Sequence, residues 1–321
     1  MENQGRTNLI QFLNDLYFIV YVKIFPAICL VGLLLCTLSF ITFINSKFNK
    51  RIYYFLKYKS LVEALILLTG VLSPISSCTD CATDGGYMTS VYVWAIDHFL
   101  RNVLYTIITF IEVLITIDRY QTIKSTDSAL VAKKDKMKLL FFVILSFLIF
   151  VPMFFAFKIA LFRHKSDNSL YYSLKNTPYG RSQFHKYYMI SVNLFENVLT
   201  LIFIIPFNIL VVNNFRRFIR KKIEILHISA DSKKRSEYNF NIMILVTTVL
   251  FALTRLIDLS NCILNEFYSD PFNSTIINIF FEIFFAIVTS LNFFIYYIFN
   301  KPFRNYVQKN FFNRSLVSTL N

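Results

Sequence analysis

The sequence predicts an all-α membrane protein, a seven-transmembrane helix bundle with a short amphipathic helix after the seventh span. Of its 321 residues 55% are hydrophobic and 16% are charged, whereas about a quarter of a soluble domain's residues are charged. Seven apolar runs recur, each long enough to cross the hydrocarbon core of a bilayer. The sequence lacks the short segments of alternating apolar and polar residues that would indicate a β-barrel.

The apolar runs divide the chain into three parts. They cover about residues 18–45, 53–75, 90–120, 138–160, 187–214, 239–265 and 275–299. We expect residues 1–17 to form an extracellular N-terminus, residues 18–300 the seven-transmembrane bundle, and residues 301–321 an interfacial helix with a short cytoplasmic tail. The interfacial helix is predicted because apolar residues follow Asn300 at helical spacing, with basic residues between them.

The distribution of Lys and Arg residues predicts the orientation in the membrane. They are concentrated in the loops after the first, third and fifth runs and in the C-terminal tail, and they are sparser in the other loops. The positive-inside rule therefore predicts an outer N-terminus and a cytoplasmic C-terminus. The same loops account for the net charge of +14 without a nucleic-acid partner. The glycosylation sequon at Asn273 falls in the last outer loop of this arrangement.

Other function classes find little support in the sequence. The 4 histidines are scattered without a metal-binding or catalytic spacing, so we expect neither an enzyme nor a bound metal or other cofactor. A transporter would show repeated halves or helices interrupted near the membrane centre, and a channel would show a pore-lining ring. Neither pattern is visible in the chain.

The third run carries charged residues at helical spacing. Arg101, Tyr105, Glu112 and Arg119 recur on one face of the predicted helix. A face with two arginines and a glutamate is costly to expose to lipid, so we expect it to face the bundle interior. Two interpretations of Glu112 stay open: an internal ion pair that fixes helix packing, or a role in function.

Two motifs point to a known family. The third run ends in Asp118-Arg119-Tyr120, and the seventh run carries Asn292 and Tyr296, followed by a phenylalanine and a basic residue. They resemble the Asp-Arg-Tyr and Asn-Pro-x-x-Tyr motifs of the rhodopsin-like (class A) G-protein-coupled receptors, although a phenylalanine replaces the proline here. The chain is similar to divergent members of that family, such as invertebrate orphan and peptide receptors.

The resemblance implies a plasma-membrane receptor that converts binding of an extracellular ligand into activation of a heterotrimeric G protein. In that family the aspartate restrains the arginine in the resting state, and activation frees the arginine to meet the G protein. Asp118, Arg119 and Tyr120, with Asn292 and Tyr296, would form this activation switch. The alternatives are a chemosensory receptor for a small molecule and, less favoured, a membrane transporter.

A carboxylate, Glu63, lies in the middle of the second run. The family usually has an aspartate there, which coordinates sodium together with polar residues of other helices. Glu63 resembles a substitute for it, and with Glu112 it would belong to an interior polar network. Two states remain open for Glu63: it binds a sodium ion, or it is protonated without an ion because burial disfavours the charged form.

Charged residues near the predicted outer side indicate a ligand site. Arg101 lies near the outer end of the third run, and the second outer loop is basic. Both features favour a peptide or an acidic small molecule through electrostatic steering. The alternative is that Arg101 only pairs with Glu282 or Asp97. The candidate ligand-binding residues are Arg101, Tyr105, Arg255, Asp258 and Glu282, of which Arg255 and Asp258 are predicted to pair.

The cysteines do not reproduce the family's disulfide. Trp94 stands where the family has a cysteine at the top of its third helix, and the second outer loop has no cysteine. Cys78 and Cys81 form a Cys-x-x-Cys in the first outer loop. We expect a local disulfide between them, with free thiols as the alternative.

Overall fold

Apolar helices make up most of the protein. The structure, a computed structural model, describes residues 19–45, 51–73, 86–124, 132–163, 170–226, 232–267 and 271–311. The long apolar runs form helices because a backbone in hydrocarbon must satisfy its own hydrogen bonds. The α-helices are α1 (Phe25–Asn45), α2 (Arg51–Leu72), α3 (Tyr87–Tyr92), α4 (Arg101–Lys124), α5 (Ala132–Ala156), α6 (Gln183–Leu226), α7 (Ser232–Phe267), α8 (Pro271–Phe299) and α9 (Lys301–Asn310).

Two segments of π-helix extend these elements. Ile19–Ile24 leads directly into α1, and Val93–Leu100 joins α3 to α4 without a break. The predicted third span is therefore one continuous helix that changes its winding near Trp94. A local change of winding alters which side chains face the neighbouring helices.

Six helical segments of the described chain are long and apolar enough to cross a membrane, so the protein is an α-helical membrane protein. They correspond to six of the seven predicted spans. The predicted second span is helix α2, which has the required length but carries Lys57, Lys59 and Glu63 along it. These charges, rather than a missing helix, set α2 apart from the other six.

A β-hairpin departs from the all-α prediction. Strand β1 (Phe157–Arg163) pairs in antiparallel register with β2 (Leu170–Asn176), Phe157 opposite Asn176 and Arg163 opposite Leu170. The predicted fourth span, residues 138–160, therefore ends as a helix at Ala156 and continues as a strand. The backbone of Thr177 donates to the carbonyl of Ala156 at 2.9 Å, which closes the base of the hairpin.

Helix α4 lies at the centre of the packing. It contacts α2, α5 and α6, and its side chains Val103, Ile107 and Ile111 belong to the main hydrophobic core. Around it, α1 packs on α2 and α8, and α7 packs on α6 and α8. This arrangement places the charged face of α4 against several other helices at once.

The short helix predicted after the last span is present as α9. The side chain of Asn300 accepts a hydrogen bond from the backbone of Phe303 and caps its first turn. Phe303 and Val307 are buried, while Lys301 and Lys309 are exposed. The helix is thus amphipathic, as expected of an interfacial element.

Candidate functional site

Polar and charged residues form three clusters along α4, one at each end and one in the middle. Arg101, Glu112 and Arg119 are all buried, and Tyr105 is partly buried. The buried face of α4 is therefore the one that the spacing of charges predicts. Each cluster joins α4 to α2 and to at least one further helix.

The first cluster lies at the C-terminal end of α4. Arg51 of α2 contacts Asp118 at 3.1 Å and also forms a two-point ion pair with Asp135 of α5. Both carboxylates are buried, whereas the Arg51 side chain is 20% exposed. Arg51 thus bridges three helices, and the bidentate geometry is the strong form of such a contact.

Arg119 makes a different kind of contact. Its guanidinium lies over the ring of Phe240 on α7, with 4.5 Å from Cζ to the ring centroid. Within the described chain, Nε of Arg119 has no hydrogen-bond partner although it is buried. The adjacent Tyr120 meets the ring of Phe207 on α6 edge to face at 5.4 Å. The Asp118-Arg119-Tyr120 segment therefore contacts α2, α6 and α7.

The second cluster lies in the middle of the bundle. Lys59 of α2 forms an ion pair with Glu112 of α4, and its Nζ is 3.7 Å from Oε1 of Glu63. Asn292 of α8 donates to the same Glu63 oxygen at 2.7 Å. All four residues are almost completely buried. Burying such an ion pair is offset only by good geometry, and removing one partner costs about 3–5 kcal/mol.

Tyr296, the second residue of the seventh-run motif, is fully buried beside this cluster. Its ring contacts Phe43 of α1 at 5.3 Å and Phe303 of α9 at 5.8 Å. The motif residues thus have separate roles: Asn292 joins α8 to α2 through Glu63, and Tyr296 packs α8 against α1 and α9.

The third cluster surrounds Arg101 at the N-terminal end of α4. Its guanidinium contacts Asp97 at 2.8 Å and Glu282 of α8 at 2.9 Å, and Nε donates to the Thr69 hydroxyl at 3.2 Å. Arg101 therefore pairs with both Asp97 and Glu282, which were predicted as alternative partners. The side chains of Asp97 and Glu282 are 25% and 21% exposed, although Oδ1 of Asp97 and Oε2 of Glu282 are themselves buried.

Arg255 of α7 extends this cluster toward the middle of the bundle. Its Nη2 donates to the backbone carbonyl of Tyr105 at 2.8 Å and to the Thr109 hydroxyl at 2.5 Å. Its Nη1 is 3.5 Å from Asp258, which also accepts from Asn197 at 3.0 Å. The predicted pairing of Arg255 with Asp258 is present, but the shortest contacts of Arg255 run to α4.

Three predicted residues need separate mention. Cys78 and Cys81 lie outside the described residues. Asn273 lies in the first turn of α8, nine residues before Glu282.

Three charged residues in these clusters were not predicted from the sequence as site residues: Arg51, Lys59 and Asp135. Arg51 and Asp135 border predicted loops that are rich in Lys and Arg, so the sequence does not distinguish them from the other charged residues of those loops. Lys59 could have been identified from the sequence, because it precedes Glu63 by four residues inside an apolar run. That spacing places both side chains on one helix face.

The chemistry of the three clusters is ion pairing and hydrogen bonding between helices. Within the described residues, no group of three or more His, Cys, Asp or Glu side chains is placed to hold a metal ion. No protein-family model matches the chain, and no curated protein sequence matches it.

Proposed function

We propose that the chain is a G-protein-coupled receptor of the rhodopsin-like class, a seven-span protein of the plasma membrane. One observation carries the proposal: cation contacts join α4 and α7 at two distant points. Arg255 of α7 donates to Tyr105 and Thr109 of α4, and Arg119 of α4 lies over Phe240 of α7.

The separation of these contacts makes α7 suitable as a signalling element. The rise along α7 between Phe240 and Arg255 is about 22 Å. A ligand that alters the contact of Arg255 would tilt α7 relative to α4 and change the contact that holds Arg119. An allosteric receptor requires such an element, whose equilibrium a ligand biases at one end and a partner reads at the other.

The proposed resting state differs from the family pattern in one respect. Asp118 pairs with Arg51, which is itself held by Asp135. The Phe240 ring of α7 is then a further restraint on Arg119, in addition to the charge of the adjacent Asp118. Activation would move α7, uncover Arg119 and let it meet the heterotrimeric G protein, with Asn292 and Tyr296 keeping α8 in register.

The proposed ligand site lies around the third cluster, in the outer half of the bundle. It contains Arg101, Tyr105, Arg255, Asp258 and Glu282. A peptide or an acidic small molecule would compete with the partly exposed Asp97 and Glu282 for Arg101. The basic residues of the second outer loop would attract such a ligand.

The test is GDP–GTP exchange in membranes that express the chain together with a panel of heterotrimeric G proteins. We expect basal exchange above that of untransfected membranes, and a decrease of about fivefold or more in Arg119→Ala, within the usual range of allosteric coupling. Acidic peptides and small acids are then screened in the same assay.

Arg163→Ala is the matched control, because Arg163 is an exposed arginine at the end of strand β1. It removes the same charge far from Arg119 and should leave basal exchange unchanged. Equal exchange in wild type and Arg119→Ala, at matched surface expression, would contradict coupling through this arginine.

A further inference from the structure

The central cluster has the composition of a site for a small monovalent cation. Glu63, Glu112 and Asn292 gather side-chain oxygens from α2, α4 and α8 in a fully enclosed place. Oxygen ligands of this kind suit hard cations. Oε2 of Glu63 and Oε2 of Glu112 lack a hydrogen-bond partner within the described chain, while Oε1 of Glu112 contacts the Lys59 ammonium. The resemblance to the receptor family implies sodium at this position.

The residues present do not fit that ion. The Lys59 ammonium already contacts Glu112 and lies 3.7 Å from Glu63. A sodium ion that bridged the same carboxylates would lie within a few ångströms of the ammonium, in a place where water does not screen the repulsion. Lys59 is only 1% exposed, so its side chain has no route by which to leave the cluster without disturbing the packing.

We infer that Lys59 is a built-in cation that takes the place of a bound sodium ion. The cluster is therefore independent of the sodium concentration, and its positive charge is fixed by the covalent chain. This inference goes beyond the proposed function and does not require it, because its test measures stability rather than G-protein activation.

The test compares thermal unfolding of the purified protein in NaCl and in N-methyl-D-glucamine chloride at equal ionic strength. We expect the same Tm for wild type in both salts. Lys59→Met keeps the length of the side chain but removes the charge, leaving two buried carboxylates without a cation. The Tm of this variant should be roughly 2–5 °C higher in NaCl than in N-methyl-D-glucamine chloride, because an ion that binds only the folded state stabilises it.

Three further variants make the result specific. Lys59→Gln is a second route to the same loss of charge, in case Lys59→Met does not fold, and should also gain stability in NaCl. Lys57→Met is the matched control: Lys57 lies over the rings of Tyr54 and Tyr58, away from the cluster, and its variant should not respond to sodium. Combining Lys59→Met with Glu63→Gln should abolish the gain.

Two outcomes would overturn the inference. A rise of several degrees for wild type in NaCl would show that sodium binds beside the ammonium, for instance at Oε2 of Glu63. No sodium response in either Lys59 variant would show that the carboxylates do not form a cation site once the ammonium is removed.

Discussion

Arg119 is a buried cation whose guanidinium lies over the aromatic face of Phe240. A guanidinium over a ring is stabilised by about 0.5–2 kcal/mol, less than a buried ion pair whose loss costs about 3–5 kcal/mol. The contact of Arg119 with Phe240 is therefore easier to break than the Lys59–Glu112 pair, which lies about two turns away along α4. A contact of this kind suits the change of partner that we propose for Arg119.

Replacing Phe240 with leucine tests this restraint. Leucine keeps the apolar volume but removes the ring face, so Arg119 is held less tightly and we expect basal GDP–GTP exchange to rise about two- to tenfold. The rise corresponds to about 0.4–1.4 kcal/mol of lost restraint, comparable to the cation–π contact.

Phe240→Tyr is the control for this experiment, because tyrosine keeps an aromatic face over which the guanidinium can lie. It should give exchange close to that of wild type. If leucine and tyrosine variants behave alike at matched expression, the ring is not what restrains Arg119.

The sequence could predict which side of α4 carries its charges, but not which residues they contact. Helical spacing and the cost of exposing charge to lipid suffice to place Arg101, Glu112 and Arg119 inside. Glu112, however, pairs with Lys59, a residue on another helix. Partners of this kind depend on how helices pack, and periodicity along one helix holds no information about that.

Aromatic side chains join the β-hairpin to the helix that precedes α4. The ring of Tyr172 in β2 meets Tyr87 of α3 at 5.4 Å, and Phe157 at the start of β1 stacks on His98 at 5.0 Å. Trp94, in the π-helical segment before α4, contacts Phe154 of α5 edge to face. Aromatic contacts thus hold the hairpin beside the N-terminal end of the third span.

The hairpin was not predictable from apolar content alone. Residues 138–160 form one run that is apolar apart from a few residues such as Lys138, Ser146 and Lys158, and such a run does not reveal where a helix gives way to a strand. Phe157 begins β1 because its backbone pairs with Asn176, a residue outside the run. The helices were predictable because each of them satisfies its own backbone.

Gly180 tests the packing at the base of the hairpin. A Cβ at this position would fall almost onto the carbonyl oxygen of Ala156, which also accepts from the backbone of Thr177. We expect Gly180→Ala to lower the Tm of the purified protein by roughly 3–8 °C, because overpacking against backbone costs about 1–3 kcal/mol.

The neighbouring Arg181→Ala is the comparison for Gly180, since Arg181 is exposed and its side chain contacts little of the core. Its Tm should stay within about 1 °C of wild type. A Gly180→Ala protein as stable as wild type would mean that the hairpin base can shift to make room.

The orientation of the whole molecule is testable through its two sequons. Asn273 lies in the first turn of α8, on the proposed outer side. A second sequon, at Asn313, lies in the proposed cytoplasmic tail. Only an asparagine that reaches the secretory lumen is glycosylated. We expect the protein from eukaryotic cells to lose apparent mass on treatment with a glycosidase, and Asn273→Gln to abolish that loss.

Asn313→Gln should leave the glycosidase-sensitive band unchanged. If this variant, and not Asn273→Gln, removes the modification, the C-terminus lies outside and the orientation deduced from Lys and Arg residues is wrong. The prediction concerns the molecule as a whole, since one reversed span would reverse the sides of all those that follow.

The two longest helices are much longer than a membrane is thick. Helix α6 has 44 residues and α7 has 36, or about 66 Å and 54 Å, against a hydrocarbon core of about 30 Å. The ends that extend beyond the membrane would be ordered helices exposed to water. A protein that binds these helix ends contacts backbone that is already ordered, so little conformational entropy of that backbone is lost on association. Their length would also enlarge the effect of a tilt: a rotation of about 5° at mid-membrane would displace a helix end about 35 Å away by about 3 Å.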